Sequence, residues 1–126
     1  PEAFWKLKCF NQTSGDNPFS KEALAEYLDA FKKPETIHSS CEDYRASASI
    51  DIEHDNEDQK KLIMPILALW AKRGVIETCF DALKLWRQRA DQVEGGSINA
   101  THYMAEEIPE KVAKRMSEFF SNSKKK

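Results

Sequence analysis

The chain is poor in cysteine and glycine and has no strong charge of either sign. It contains three cysteines and four glycines among 126 residues, with a formal net charge of −2 at pH 7. The cysteines are widely spaced and include no Cys-x-x-Cys pair, which argues against a disulfide framework and favours a reducing compartment. Mixed charge and slight acidity give no indication of a nucleic-acid partner.

Long apolar runs are missing as well. The longest covers residues 62–71, which is too short to span a bilayer and is interrupted by Pro65. The first residues, Pro-Glu-Ala, do not form a basic-then-apolar signal segment, and the absent initiator Met predicts a fragment or a processed chain. We therefore expect a soluble, cytoplasmic polypeptide with the length of one small domain.

The first part of the chain has helical spacing. Behind Ser20, a residue that favours helix starts, apolar side chains recur at positions 24, 27, 28 and 31. Pro34 can open a second helix whose positions 37, 41, 44 and 48 share one face. We predict that residues 1–49 are mostly helical and that the polar segment 51–61 forms a surface helix.

The second part alternates between strand and helix patterns. A continuous apolar run over residues 63–70 is typical of a strand buried on both faces of a parallel sheet, with Pro65 tolerated only near its start. Apolar positions 79, 83, 86 and 90 predict one helix, and Gly95 and Gly96 predict a break. A short strand over residues 97–100 and a helix opened by Pro109 follow.

This order of helices, β, α, β and α predicts an α/β half-fold. Two parallel strands with their helices leave a sheet edge and much apolar helix surface uncovered. We therefore expect the chain to need further strands, in the same chain or added in trans, before it folds stably.

His102 is the strongest candidate for a reacting group. It lies where the strand 97–100 gives way to a loop, and reactive groups of open parallel sheets gather beyond the carboxyl ends of strands. An imidazole there suits a general base near neutral pH, although most histidines are ordinary surface residues, which is the alternative. No Gly-x-Ser-x-Gly or Gly-x-Asp-x-Gly turn is present, so the chain supplies no nucleophile for such a base.

Three blocks of sequence resemble known proteins. Residues 106–110 (Glu-Glu-Ile-Pro-Glu) follow His102 in a pattern similar to the last strand-to-helix loop of an α/β-hydrolase. Residues 38–46 (His-Ser-Ser-Cys-Glu-Asp-Tyr-Arg-Ala) and 50–55 (Ile-Asp-Ile-Glu-His-Asp) more specifically resemble the haloacetate (fluoroacetate) dehalogenase family. The resemblance covers nearly the whole chain but only the C-terminal part of that family.

The resemblance implies a fold and a reaction. Residues 1–49 would be the end of a helical cap domain, and residues 50–126 the C-terminal part of the α/β-hydrolase core with its last two parallel strands. An upstream Asp would displace halide from a haloacetate to form an ester, and His102 would activate the water that hydrolyses the ester to glycolate. The nucleophilic Asp, the orienting Asp and the substrate-binding arginines would lie upstream of Pro1. No cofactor and no metal are implied.

Tyr44 is the second candidate site residue. It shares the helical face of Ile37 and Cys41, and its phenol can donate a hydrogen bond from an otherwise apolar wall. By resemblance, Tyr44 is a cap residue that helps to hold the departing halide. The alternative is an amphipathic core tyrosine whose hydroxyl is satisfied locally.

Two positions depart from the family pattern. Thr101 precedes the histidine and Ala71 follows Trp70, and in both places the family usually has Gly. Each change adds a Cβ where backbone freedom or close approach is expected. Residues 71–74 also lack the orienting acid that many α/β-hydrolases place after this strand, which agrees with the dehalogenases, whose acid comes from an earlier strand.

Other interpretations stay open. Asp51, Glu53, His54 and Asp55 could suggest a metal site, but they have no closing partner, and a solvated acidic helix is the better account. An epoxide hydrolase shares the Asp ester and the histidine, with cap tyrosines such as Tyr44 protonating the epoxide oxygen. A non-catalytic remnant is the third alternative. The expected partner is a small haloacetate, with no nucleic acid and no membrane, and a homodimer of the complete protein stays open.

Overall fold

The computed structural model describes residues 3, 6, 7 and 17–123, with the side chain of residue 123 left out. Residues 17–123 contain seven helices and two strands. In chain order they are α1 (Lys21–Phe31), α2 (Pro34–Ser47), α3 (Ile50–Glu57), β1 (Ile66–Ala71), α4 (Val75–Cys79), α5 (Ala82–Arg89), β2 (Val93–Ile98), α6 (Met104–Glu107) and α7 (Pro109–Ser123). Contacts divide the chain into two units: of the described residues, the first comprises 3, 6, 7 and 19–59, and the second comprises 17, 18 and 60–123.

The first unit consists of the three helices α1 to α3. The Ser20 hydroxyl accepts the Ala23 N–H over 3.0 Å and so caps α1, while Pro34 occupies the first turn of α2. The predicted helix starts at these two residues are confirmed. The predicted surface helix in the segment 51–61 is also present as α3, all of whose residues are exposed. The predicted domain boundary after residue 49 falls between α2 and α3, within this unit.

The second unit is built on a parallel pair of strands. β1 and β2 pair in register from Ile66 with Val93 to Ala71 with Ile98. Only Ala68 and Ala71 of β1 are buried, and Ile63 and Met64 are 82% and 53% exposed. The predicted strand of a parallel sheet is present, but it begins at Ile66 rather than near residue 63, and its burial is partial, with one buried alanine on each face. Pro65, which cannot donate a ladder hydrogen bond, stands immediately before the strand instead.

Gly95 and Gly96 lie inside β2, so the predicted break at these residues is wrong. Gly95 pairs with Ala68, has a φ of 144°, and brings its backbone so close that a Cβ would lie 1.8 Å from the Ala68 oxygen. A glycine in a strand often marks such a close approach of two backbones. The glycine pair therefore permits the strand pairing, and the strand runs over Val93–Ile98 rather than residues 97–100.

The single helix predicted through positions 79, 83, 86 and 90 is two helices, α4 and α5. Phe80 has extended backbone angles, and the Asp81 carboxylate accepts the Lys84 N–H over 3.0 Å, which starts α5. Cys79 is consequently exposed at the end of α4. Ala90 lies beyond α5, where it is 1% exposed and forms a parallel bridge with Leu62. The cap at Asp81 overrides the apolar spacing.

Candidate catalytic histidine loop

His102 lies in a turn beyond the carboxyl end of β2. The neighbouring strand, β1, has its carboxyl end on the same side of the sheet because the two strands are parallel. The His102 side chain is exposed, and its ring packs edge-to-face against Tyr103 with 5.0 Å between the ring centroids. The histidine is therefore where the sequence predicted it, beyond the carboxyl ends of the strands, where open α/β sheets bind ligands.

The backbone before His102 is tied to the segment that follows β1. The Lys72 N–H donates to the Ile98 carbonyl over 2.8 Å, and the Arg73 N–H donates to the Ala100 carbonyl over 3.1 Å. Ala100 is fully buried and Thr101 is 4% exposed. The segments that follow the two strands are thus joined by backbone hydrogen bonds, and the exposed histidine comes directly after two buried residues.

Glu107, at the end of α6, contacts this loop directly. Its Oε2 atom accepts the Thr101 N–H over 2.9 Å and lies 3.6 Å from Nη2 of Arg73. The Glu107 side chain is 16% exposed, whereas that of Arg73 is 51% exposed. In the sequence, Glu107 stands out only as part of the pattern at residues 106–110. Helical spacing gave no signal for this contact, because Thr101 and Glu107 are six positions apart and Thr101 lies outside any helix.

The departures from the family pattern at Thr101 and Ala71 do not create a left-handed backbone. Within residues 17–123, no residue other than glycine has a positive φ. Thr101 instead introduces a hydroxyl whose oxygen is buried and forms no hydrogen bond with the described residues; Oε1 of Glu107 is in the same condition. The free-energy cost of threonine at position 101 therefore comes from burying a hydroxyl without a hydrogen bond, and not from backbone strain.

Replacing Thr101 with valine is expected to raise the free energy of unfolding by about 1 kcal/mol, because the substitution keeps the shape and removes an unsatisfied hydroxyl. Urea unfolding of the purified protein, as its gene encodes it, measures this change. Thr101→Ser is the matched control, since it keeps the hydroxyl and loses the methyl group, and it should destabilise the protein. A valine variant less stable than the parent would show that the hydroxyl has a partner.

Glu77 connects the two strands near their carboxyl ends. Its carboxylate accepts the Trp70 indole N–H over 2.5 Å and the Ser97 hydroxyl over 3.2 Å, and Trp70 and Ser97 are paired in the sheet. Glu77 lies beyond residues 71–74, which offer no acid, and it was not among the predicted site residues. Because both Glu77 oxygens are engaged, this carboxylate holds the strand pair together.

Tyr44 lies in α2, in the first unit, with 67% of its surface exposed. The next residue, Arg45, forms an ion pair with Glu42 one turn earlier in the helix. Tyr44 is therefore not part of the described core of this unit. His102 belongs to the second unit. The halide-binding role of Tyr44 stays a prediction.

In the described part of the chain, the remaining polar clusters and the cavity lie apart from His102 or lack the ligands for a metal site. The described residues contain no group of three or more His, Cys, Asp or Glu side chains that could hold a metal ion. Cys41 and Cys79 are free and exposed, and Cys9 lies outside the described residues. A cavity of about 310 Å³ lies at the amino ends of the strands, lined by Ile66 and Val93 among others. It is thus at the opposite end of the strand pair from the histidine loop.

Comparison with curated proteins finds two informative relatives. A fluoroacetate dehalogenase of Burkholderia sp. is 29% identical over 126 residues, which cover 98% of this chain and 41% of the relative. A soluble epoxide hydrolase of Corynebacterium sp. (strain C12) is 33% identical over 106 residues, which cover 83% of this chain and 36% of the relative. The chain thus spans about two fifths of the length of these relatives. No protein-family model matches it.

Solved structures match nearly the whole chain. An acyltransferase candidate from Salmonella enterica gives a TM-score of 0.91 at 31% identity and covers 98% of this chain and 41% of its own. An α/β-hydrolase candidate from Nostoc sp. gives a TM-score of 0.88 at 40% identity. The match covers 95% of this chain and 42% of the Nostoc chain.

The chain therefore has an α/β-hydrolase fold, and its helices and two parallel strands correspond to the C-terminal part of that fold. Its relatives in sequence are α/β-hydrolases with two different named activities, dehalogenation and epoxide hydrolysis. Among the described residues, no helix has both the length and the apolar character needed to cross a membrane.

Proposed function

We propose that His102 is the general base of a hydrolytic dehalogenase that acts on haloacetates. The observation that carries this proposal is an accessible imidazole on a buried, hydrogen-bonded loop beyond the carboxyl end of β2. The similarity over 98% of the chain to a fluoroacetate dehalogenase supports this choice of substrate class. Residues 1–49 would be the end of the cap and residues 50–126 the C-terminal part of the catalytic core.

The proposed reaction has two displacement steps. A carboxylate oxygen of an Asp outside this chain attacks the α-carbon of the haloacetate, the carbon–halogen bond breaks, and halide leaves with its electron pair. His102 then takes a proton from water while the water oxygen attacks the carbonyl carbon of the ester. The bond between the carbonyl carbon and the ester oxygen breaks, the departing alkoxide takes the proton from His102 and leaves as glycolate, and the resulting Asp carboxylic acid releases its proton to solvent as the carboxylate is regenerated.

Epoxide hydrolysis is the second candidate, because the Corynebacterium relative named for that activity is 33% identical. The two reactions use the same kind of ester and the same base, and they differ in the leaving group. Incubation of the protein, as its gene encodes it, with fluoroacetate and with an aryl epoxide separates them. Fluoride and glycolate in equal amounts support dehalogenation, whereas diol without fluoride release supports epoxide hydrolysis and overturns the first proposal.

Replacing Tyr44 with phenylalanine is expected to slow fluoride release by about tenfold or more. The phenol would lose its hydrogen bond to the developing halide, and a hydrogen bond to a charged group contributes about 1.5–3 kcal/mol. Initial rates of fluoride release, measured with an ion-selective electrode, give this ratio. Tyr27→Phe is the matched control, because Tyr27 lies in α1 and its ring packs edge-to-face against Phe19. Unchanged fluoroacetate turnover in Tyr44→Phe would remove Tyr44 from the proposed site.

A further inference from the structure

One residue holds the backbone on both sides of His102. The Thr101 N–H, immediately before the histidine, donates to Oε2 of Glu107 over 2.9 Å. The Tyr103 carbonyl, immediately after it, accepts the backbone N–H of Glu107 over 3.0 Å. The side chain and the backbone of Glu107 therefore contact the Ala100–Thr101 and Tyr103–Met104 peptide groups, which lie one peptide group away from His102 on either side.

The environment of Glu107 strengthens these contacts. Its side chain is 16% exposed and Thr101 is 4% exposed, so little water competes for the hydrogen bond between them. A hydrogen bond from a backbone N–H to a carboxylate is charge-assisted and stronger than one between neutral groups. Arg73 adds a second connection. Its guanidinium approaches Oε2 of Glu107, and its backbone N–H donates to the Ala100 carbonyl.

The imidazole depends on this backbone for its direction. Within residues 17–123, the His102 ring packs against Tyr103 and forms no hydrogen bond. A general base must come within about 2.6–3.2 Å of the proton that it removes. A misplacement of about 1 Å can lower a rate by about 100-fold, even when its cause is far from the reacting atoms.

We infer that Glu107 is the positioning residue of His102. Its carboxylate holds Thr101, its backbone N–H holds Tyr103, and together they aim the imidazole from the turn between β2 and α6. The catalytic consequence rests on the proposed function of His102, whereas the structural consequence does not. The two consequences therefore need separate measurements.

The experiment compares Glu107→Ala and Glu107→Gln in the protein as its gene encodes it. Alanine removes the acceptor, and glutamine keeps an amide oxygen that can accept the Thr101 N–H. Glu110→Ala is the matched control, because Glu110 is an exposed acid in the first turn of α7. The first measurement is hydrogen exchange of the Thr101 amide by NMR. The second is the rate of ester hydrolysis after a single turnover of fluoroacetate, with ester formation measured in parallel.

Glu107→Ala is expected to speed Thr101 exchange by about tenfold or more, since it removes a charge-assisted hydrogen bond. It should slow ester hydrolysis by about 10- to 100-fold and leave ester formation and KM nearly unchanged. Glu107→Gln should recover part of both losses, and Glu110→Ala should match the parent. The partial recovery with glutamine separates positioning from general loss of stability.

The outcomes distinguish this inference from the proposed function. Unchanged Thr101 exchange in Glu107→Ala overturns the inference whatever the activity. Faster exchange with normal ester hydrolysis also overturns it, because the contact would then not aim the base. Faster exchange in a protein whose parent releases no fluoride supports the contact and rejects the dehalogenase proposal. If the alanine variant does not fold, Glu107→Leu replaces it, because leucine removes both acceptor oxygens and keeps much of the side-chain volume. Parental Thr101 exchange in that variant overturns the inference, and faster exchange with slower ester hydrolysis supports it.

Discussion

Replacement of His102 by glutamine is expected to let the covalent ester form and to prevent its hydrolysis. Glutamine has nearly the reach of histidine but cannot take a proton from water near neutral pH. A positioned base contributes roughly 10²- to 10⁴-fold to such a step, so steady-state halide release should fall by about that factor. Rapid mixing with fluoroacetate should show one equivalent of fluoride per active site, followed by almost no further release.

Intact-mass measurement of the His102→Gln protein should detect the ester that accumulates. His54→Gln is the matched control, since His54 is an exposed histidine of α3 and belongs to the other unit. It should retain parental turnover. Steady-state fluoride release at the parental rate in His102→Gln would contradict the role of base. Loss of the initial equivalent as well would place His102 in ester formation instead.

Replacement of Gly95 by alanine is expected to have the largest effect on stability. The new Cβ would lie 1.8 Å from the Ala68 oxygen and 2.7 Å from the Ala68 carbonyl carbon, at a φ of 144° that side chains rarely adopt. Because both neighbours are backbone atoms of the paired strand, the strands must separate to relieve the clash. We expect a loss of about 4 kcal/mol or more of unfolding free energy, at the upper end of single-substitution effects.

Gly96→Ala provides the control for the clash. A Cβ at Gly96 meets no atom within 4 Å, although its φ of 159° is close to that of Gly95. Any cost of the backbone angle should appear in both variants, and only Gly95→Ala should add the collision with Ala68. Urea unfolding followed by circular dichroism compares them. Equal destabilisation by the two substitutions would show that the close approach of the strands is not the cause.

Local chemistry made several elements predictable from sequence. Ser20 and Pro34 act within one helical turn, so the starts of α1 and α2 could be inferred without knowledge of their surroundings. Pro109 likewise begins α7, and residues 50–57 form the predicted surface helix. These predictions depend on contacts between residues close in the chain.

Two predictions failed where contacts between distant residues decide the outcome, and a third failed for a local reason. The apolar run at residues 63–70 suggested an early strand start, but the pairing that defines β1 begins at Ile66 opposite Val93. Gly95 looked like a chain break because its neighbour across the sheet, Ala68, is 27 positions away in the chain. The single predicted helix at positions 79–90 failed for a local reason, since the Asp81 cap was overlooked.

The sequence by itself determined the alternation of helical segments with two strands, the helix starts at Ser20, Pro34 and Pro109, and the place of His102 after the second strand. These features follow from residue type and spacing along the chain. Only the tertiary structure decided the strand register, the need for glycine at position 95, and the contact between the Glu107 carboxylate and the Thr101 N–H. Those features require atoms that folding brings together, and spacing along the chain does not specify which backbone groups will meet.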